Sequence, residues 1–407
     1  MAFATVPSLA AIRNSEFKRE IKNLRQIFIL REILRVVAPG QTRVTSLLDK
    51  HFALSMVLKT KVLGGNMTNL TRASNELFKR PPDERYESLQ ALADFCRQQK
   101  QGSQDRWHAP ATVSVLADNF TLKVNAGNDG SFLCNDWSFS QLCRMAGVAK
   151  DTVNRLSAST ASLVLGETLP MGQKPVQLLT EGDTIRSIHG TQYTRLWNLD
   201  LVNVLKEFAT DFQPPQKGMN GATGLYASDR DMFGFLIDPL GWAEIDGEAF
   251  APGFFIWNSE VGCRTLGIQT FWFQAVCQNH IVWDATDVVE WTRKHTAKVG
   301  DGLSEVRRII AGLVEKRDQR KDGFYRVIKK AMEAKLGDDA DNVLKELTKK
   351  GFTRSVAKRA SEIAKQSGRF TIFSIVDALT RISQDTGFVG DRTEADQKAS
   401  TLLRLAT

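Results

Sequence analysis

The sequence predicts an α+β protein, with a mixed or antiparallel sheet core flanked by a mainly helical N-terminal region and a basic helical C-terminal region. Two observations carry this expectation. Between about residues 110 and 271, short apolar runs alternate with period two and come in groups, not in strict βαβ order. Beyond Thr296 nearly every apolar stripe has helical spacing instead. Composition agrees, since 42% hydrophobic and 25% charged residues over 407 positions are ordinary for a chain that buries a core. Three regions are expected: 1–105, mainly helical; 106–295, the α+β core; and 296–407, the basic helices.

Taken in order, Phe17, Ile21, Leu24 and Phe28, with Ile27, Leu30, Leu34 and Val37 one step round, predict a helix over 15–37. Ser15 can cap it and Ala38-Pro39-Gly40 stops it. Its basic residues, Lys18 to Arg35, flank a wide apolar face suited to packing on the parent fold. Asp83 and Glu84, following Pro81-Pro82, read as the first turn of another helix. The polar run 98–106 reads as a linker.

Strands are expected at 111–116, 120–124, 177–180, 184–188, 224–228, 232–237, 253–257 and 264–271. Helices are expected at 138–146, 149–158 and 199–209, and 213–221 is a loop by composition. In the last third, Leu303, Val306, Ile310 and Leu313 form one helical stripe. Phe324, Val327, Ile328 and Ala331 form a second, Val356, Ala360 and Ile363 a third, and Ile372, Ile375, Val376 and Leu379 a fourth.

The charge is uneven. The chain carries +8 overall, whereas residues 293–369 hold 21 Lys and Arg against 11 Asp and Glu, a net +10. The remainder is therefore slightly acidic. The basic residues cluster as Arg307-Arg308, Lys316-Arg317, Arg320-Lys321, Lys329-Lys330, Lys349-Lys350 and Lys358-Arg359. Helix faces carrying several cations can track a phosphate backbone, so DNA is the expected partner and these twelve side chains the expected contacts. A solvated, ion-paired face is the bland alternative.

Five cysteines (Cys96, Cys134, Cys143, Cys263, Cys277) are an odd number with no Cys-x-x-Cys pair, which argues against a disulfide framework or a zinc ribbon. No apolar run reaches the roughly 18 residues of a membrane span, and the first residues make a poor secretory signal. A cytoplasmic protein with no membrane partner is expected; homo-oligomerisation is left open. No phosphate loop, zincin motif or nucleophile elbow occurs, Gly64-Gly65-Asn66 being too weak a loop, and no cofactor is expected.

Three local patterns invite chemistry. The segment 138–156 has helix-turn-helix spacing, with Leu142, Ala146, Val148 and Val153 inward, Gly147 at the turn, and Lys150, Asp151, Asn154 and Arg155 outward. Two packed scaffold helices give the same pattern. Asp229-Arg230-Asp231 places two carboxylates on one side of an extended chain, and with Glu260 they could hold a divalent metal. Cys277, His280 and Asp284 have the types but not the setting of a nucleophilic triad. The aromatics Phe254, Phe255, Trp257, Phe271, Trp272, Phe273 and Trp283 fit core packing better than base stacking.

Several segments occur in order: Arg80-Pro-Pro-Asp-Glu-Arg-Tyr-Glu-Ser-Leu89, Arg186-Ser-Ile-His-Gly-Thr-Gln-Tyr-Thr-Arg-Leu196, Ser228-Asp-Arg-Asp-Met-Phe233, Asn258-Ser-Glu-Val-Gly262 and Cys277-Gln-Asn279. Together they resemble a phage- and plasmid-associated family defined only as a conserved domain of unknown function, number nine-three-two, over roughly residues 70–300. The resemblance implies a mobile-element setting, near replication or recombination, and no established activity. Its signature positions here are Asp229, Arg230, Asp231, Asn258, Glu260, Gly262, Cys277 and Asn279. Glu260, if buried, needs a partner. The functional expectation is a DNA-binding protein that assists recombination or single-strand handling. The alternatives are a metal-dependent enzyme acting on nucleic acid, or a host-factor-binding counter-defence protein using the Leu303 stripe.

Overall fold

The computed structural model describes residues 83–406 except 171, 173, 216–222, 275–279, 284–288 and 367, with backbone alone at 280–283. The helix expected over 15–37, the Gly64-Gly65-Asn66 run, Cys277, Asn279 and Asp284 lie outside the described residues.

The chain is α+β, with two sheets and eleven α-helices among the described residues. A short strand β1 (Glu84–Arg85) precedes helix α1 (Leu89–Gly102). The first turn expected at Asp83-Glu84 is thus an edge strand, paired antiparallel with β8 (Leu225–Ala227). The helix waits for Ser88, whose Oγ accepts the Ala91 N–H at 3.1 Å and so supplies a cap that the earlier residues lack. The expected linker 98–106 is the end of α1 followed by strand β2 (Ser103–His108). Its polar composition is overridden by a six-residue antiparallel register with β6 (Val176–Glu181).

The first sheet adds β3 (Val113–Asp118), β4 (Thr121–Ala126), β5 (Ser131–Cys134) and β7 (Thr184–Gly190), in the order β2-β6-β7-β5-β4-β3. All neighbours are antiparallel except β5 and β7. Between β5 and β6 the chain makes three helices, α2 (Asp136–Met145), α3 (Lys150–Asn154) and α4 (Ala158–Thr168). Phe139, Leu142, Val153, Ala161 and Leu165 from these helices pack on Leu122, Val124 and Phe132 of the sheet.

The second sheet runs β1-β8-β9-β11-β12-β13, with β9 (Met232–Ile237), β11 (Glu248–Asn258), β12 (Leu266–Gln274) and β13 (His280–Trp283). Two short strands pair at its flanks, β10 (Ala243–Ile245) on β11 and β14 (Glu290–Arg293) on β12. Both faces of its centre are buried, so the period of two sorts residues between two cores. Leu236, Phe254, Ile256 and Ile268 meet α1, α5 (Asn198–Phe208) and α6 (Gly302–Glu315). Phe233, Phe235, Phe255, Phe271 and Phe273 form an aromatic core on the other face.

The C-terminal helices are α7 (Arg317–Glu333), α8 (Ala340–Lys349), α9 (Arg354–Gln366), α10 (Ile372–Ser383) and α11 (Val389–Ser400). Their core is continuous with the second sheet: Ala243, Ile245, Phe250 and Trp272 pack among Phe324, Val327, Ile328 and Phe373. The boundaries expected at 105/106 and 295/296 therefore do not separate independent cores. Leu92, Ala93 and Cys96 share a core with α5, and α6 completes it. No disulfide joins Cys96, Cys134, Cys143 and Cys263. Among the described residues no helix is long and apolar enough to cross a membrane.

Candidate functional site

The loop 259–265, between β11 and β12, is the point at which segments far apart in sequence meet. Asn258 and Ser259 are fully buried and Glu260 nearly so. Asn258 Nδ2 donates to the Leu196 carbonyl at 2.9 Å and to Asn198 Oδ1 at 2.8 Å, fixing the start of α5. Ser259 Oγ accepts the Cys263 N–H at 2.8 Å and donates to the Arg230 carbonyl, which closes the loop on the β8–β9 turn. Trp137 Nε1 and His189 Nε2 both donate to the Val261 carbonyl, at 2.8 and 3.0 Å. That acceptance makes Nε2 the protonated nitrogen of a neutral His189. Tyr193 Oη donates to the Glu260 carbonyl at 2.8 Å, and Arg195 donates to the same oxygen.

The acids of the expected metal site are held otherwise. Glu260 lies 2.8 Å from Arg186, which is itself buried, and accepts the Asn198 N–H at 3.1 Å. Its carboxylate thereby stabilises the N-terminus of α5, whose cap residue Trp197 supplies no side-chain bond. Asp231 pairs with Arg264 at 3.1 Å, and Asp229 accepts from Asn135 at 3.4 Å. Arg230 is drawn to Asp136, which also holds Lys150. Asp231 and Glu260 are thus committed to arginine, and one cation shared by Asp229, Asp231 and Glu260 is not what this arrangement offers. Among the described residues no three His, Cys, Asp or Glu side chains gather to hold a metal ion.

Beside the loop opens a cleft of about 810 Å³. One wall runs from His189 to Tyr193 with Lys294 to Thr296 beside it, since His295 stacks on Tyr193, and Gly262 to Thr265 line the cleft as well. Trp137, Gln141, Arg144 and Met145 of α2, with Lys174 to Val176, complete it. Four of the lining side chains are Lys or Arg and none is Asp or Glu. Arg144, Lys174 and Lys294 are exposed. Arg144 lies over the Trp137 ring, 5.7 Å from its centroid. Arg264 is tied to Asp231 and, at 3.2 Å, to Glu394 of α11.

The wall is stiffened by an aromatic pile. His189 and Tyr193 stack at 3.6 Å and 6°, and His295 follows at 5.5 Å. Gly262 is required beneath it. Its φ is +71°, and a Cβ there would lie 2.7 Å from the His189 ring and 2.9 Å from that of Tyr193. Burial pushes His189 down to about 3, helped by the Arg195 charge. Burial likewise lowers His295 to about 4. Both are neutral at pH 7, so the charge on the cleft comes from Lys and Arg alone.

The twelve basic residues expected to contact DNA are dispersed in their roles. Two are corrected outright: Arg320 is buried, and the Arg317 guanidinium turns in to the buried Asp238. Both sit on the packed side of α7, where a stem can line the core while the head finds an acid or a carbonyl. Arg307 lies over Phe208 at 4.6 Å. Arg308, Lys349, Lys358 and Arg359 pair with Glu305, Glu346, Glu362 and Asp385. Lys316, Lys329, Lys330 and Lys350 are exposed, and Lys321 is half-buried.

The segment 138–156 does form two helices about Gly147, whose φ is +67°. As a reading head it fails, because α3 has only five residues, Asn154 is buried and Lys150 is bound to Asp136. The Leu303 stripe is likewise no docking face, since Val306, Ile310 and Leu313 are buried against α1 and the second sheet. Sequence reading missed the cleft cations Arg144, Lys174, Arg264 and Lys294 as a group, because they are isolated charges on four separate elements. The one signal was the order of the resembling segments, three of which (186–196, 228–233 and 258–262) converge at this loop. Comparison with family models, curated proteins and solved structures finds no match for the chain.

Proposed function

We propose that the chain binds nucleic acid, with the cleft beside the 259–265 loop as its principal contact. The carrying observation is the lining: Arg144, Lys174, Arg264 and Lys294 with no carboxylate among them, in a cleft whose histidines are neutral. A lining of that sign attracts a polyanion and repels a basic peptide. Thr191, Gln192, Thr265 and Thr296 line the same cleft and suit sugar and base edges. Exposed Lys316 and Lys350 on the C-terminal helices add long-range attraction. The mobile-element setting, with a role beside recombination, rests on the sequence resemblance of the segments that build the loop.

The test is a salt series with fluorescently labelled oligonucleotides. Each neutralised phosphate releases counterions, so about three engaged cations give a slope of log K against log salt of roughly −2 for a single strand and −3 for a duplex. A flat salt response, or no binding at low salt, removes the proposal.

A further inference from the structure

We infer that the cleft seats a single strand and excludes a duplex; this rests on the nucleic-acid reading above and names its substrate class. Size decides first. A cleft of about 810 Å³ is far smaller than one turn of a duplex, whose major groove alone is ~12 Å wide. It lies within the range of clefts that enclose a ligand of a few hundred daltons. A duplex reaches only the rim, whereas an extended strand places one or two nucleotides inside.

The placement of charge agrees. Arg144 comes from α2, Lys174 from the segment before β6, Arg264 from the loop after β11 and Lys294 from the segment after β14. The cations line one cleft from four elements instead of lying in a row along one helix face, Arg264 being held by Asp231 and Glu394. A flexible chain of phosphates can bend to meet cations on several sides; a rigid cylinder presents its phosphates to one surface at a time. Thr191, Gln192 and Thr296 supply hydrogen-bond groups in the same lining, and Met145, Pro175 and the Trp137 ring supply apolar surface. Unpaired bases expose both such faces, while paired, stacked bases hide their Watson–Crick edges and ring faces within the helix. The His189–Tyr193 pile on Gly262 fixes this wall before a ligand arrives, which lowers the ordering cost of binding.

The experiment uses the full chain and anisotropy titrations at low salt, with a labelled strand of about 12 nucleotides, the same sequence as a duplex, and a mononucleotide competitor. The cleft variant is Arg144→Glu with Lys294→Glu, and the control is Lys329→Glu with Lys330→Glu on α7. The strand is expected to bind at least about tenfold tighter than the duplex. The cleft variant is expected to lose at least about tenfold in strand affinity, and the control about twofold or less. If charge reversal unfolds the chain, Arg144→Gln with Lys294→Gln replaces it, with a smaller loss of the same order. Equal or tighter duplex binding, or a loss confined to the α7 control, overturns the strand assignment while leaving nucleic-acid binding intact. A mononucleotide that binds as tightly as the strand overturns it in favour of a free nucleotide. Failure of every oligonucleotide to bind removes the underlying reading as well.

Discussion

Glu260 ties together several elements near the cleft through both its side chain and its backbone carbonyl. It holds Arg186 within the interior, accepts the first N–H of α5, and offers its carbonyl to Tyr193 and Arg195. Glu260→Gln keeps the shape and removes the charge, leaving Arg186 with the Ser103 hydroxyl at 2.9 Å and the outlying Glu181 at 3.3 Å. Breaking a buried pair in this way costs about 3–5 kcal/mol, and urea denaturation should show it; an unchanged midpoint would mean that the pair is solvated. Titration adds a second prediction. His189 and His295 are held to about 3 and 4, so below the ordinary value near 6.5 the unfolded chain takes up protons that the folded chain refuses. Their contribution to stability is therefore present at neutral pH and lost as pH falls from about 6.5 toward 4 for His295 and 3 for His189. Asp396 acts with the opposite sign. Burial raises it to about 7, so its protonated form favours folding at low pH and that contribution is lost as pH rises through 7. Asp396→Asn should remove this component from the dependence of Tm on pH between about 4 and 7; parallel profiles for variant and wild type would refute this.

The elements show where local chemistry was enough and where it was not. Strands β9, β11 and β12 were readable because β-branched and aromatic runs of six or more residues pack on both faces. The hairpin β10–β11 was not read, although Asp246-Gly247 is its turn, with φ of 50° and 84° at the two positions. That pair is the usual chemistry of a two-residue hairpin, in which both residues take positive φ. Gly247→Val should cost about 1–2 kcal/mol, since a β-branched residue in that conformation is strained; a thermal melt within a degree of wild type would contradict it. The start of α1 was misplaced because Pro81-Pro82 and two acids imitate a helix start. The deciding feature is the Ser88 cap, five residues further on than the acidic first turn implied.

For the described residues as a whole, the basic helices and the α+β core share one interior. Trp272 of β12 and Phe324 of α7 stack at 4.1 Å and 9°, and Phe250 meets Phe324 edge-on at 5.2 Å. Two separate domains would not exchange aromatic side chains in this way, so sheet and helices should unfold together. Phe324→Ala, by emptying a position of 2% exposure, should cost about 3–5 kcal/mol. Tryptophan fluorescence and helical circular dichroism should shift by the same amount; separated transitions would restore the three-region division.

Apolar periodicity was enough to announce an α+β chain and to locate most of its strands and helices, because side chains on one face of an element repeat at two or 3.6 residues whatever lies opposite. The excess charge of residues 293–369 was equally plain. Which cations remain available was settled only by folding. Arg317 and Arg320 belong to basic pairs yet turn inward. Arg186 meets Glu260 across 74 residues, and Arg144, Lys174 and Lys294 gather at one cleft from elements that do not adjoin in sequence. Charge is a property of the residue, but its compensation depends on distance and burial, and those are set by neighbours that the tertiary structure brings close.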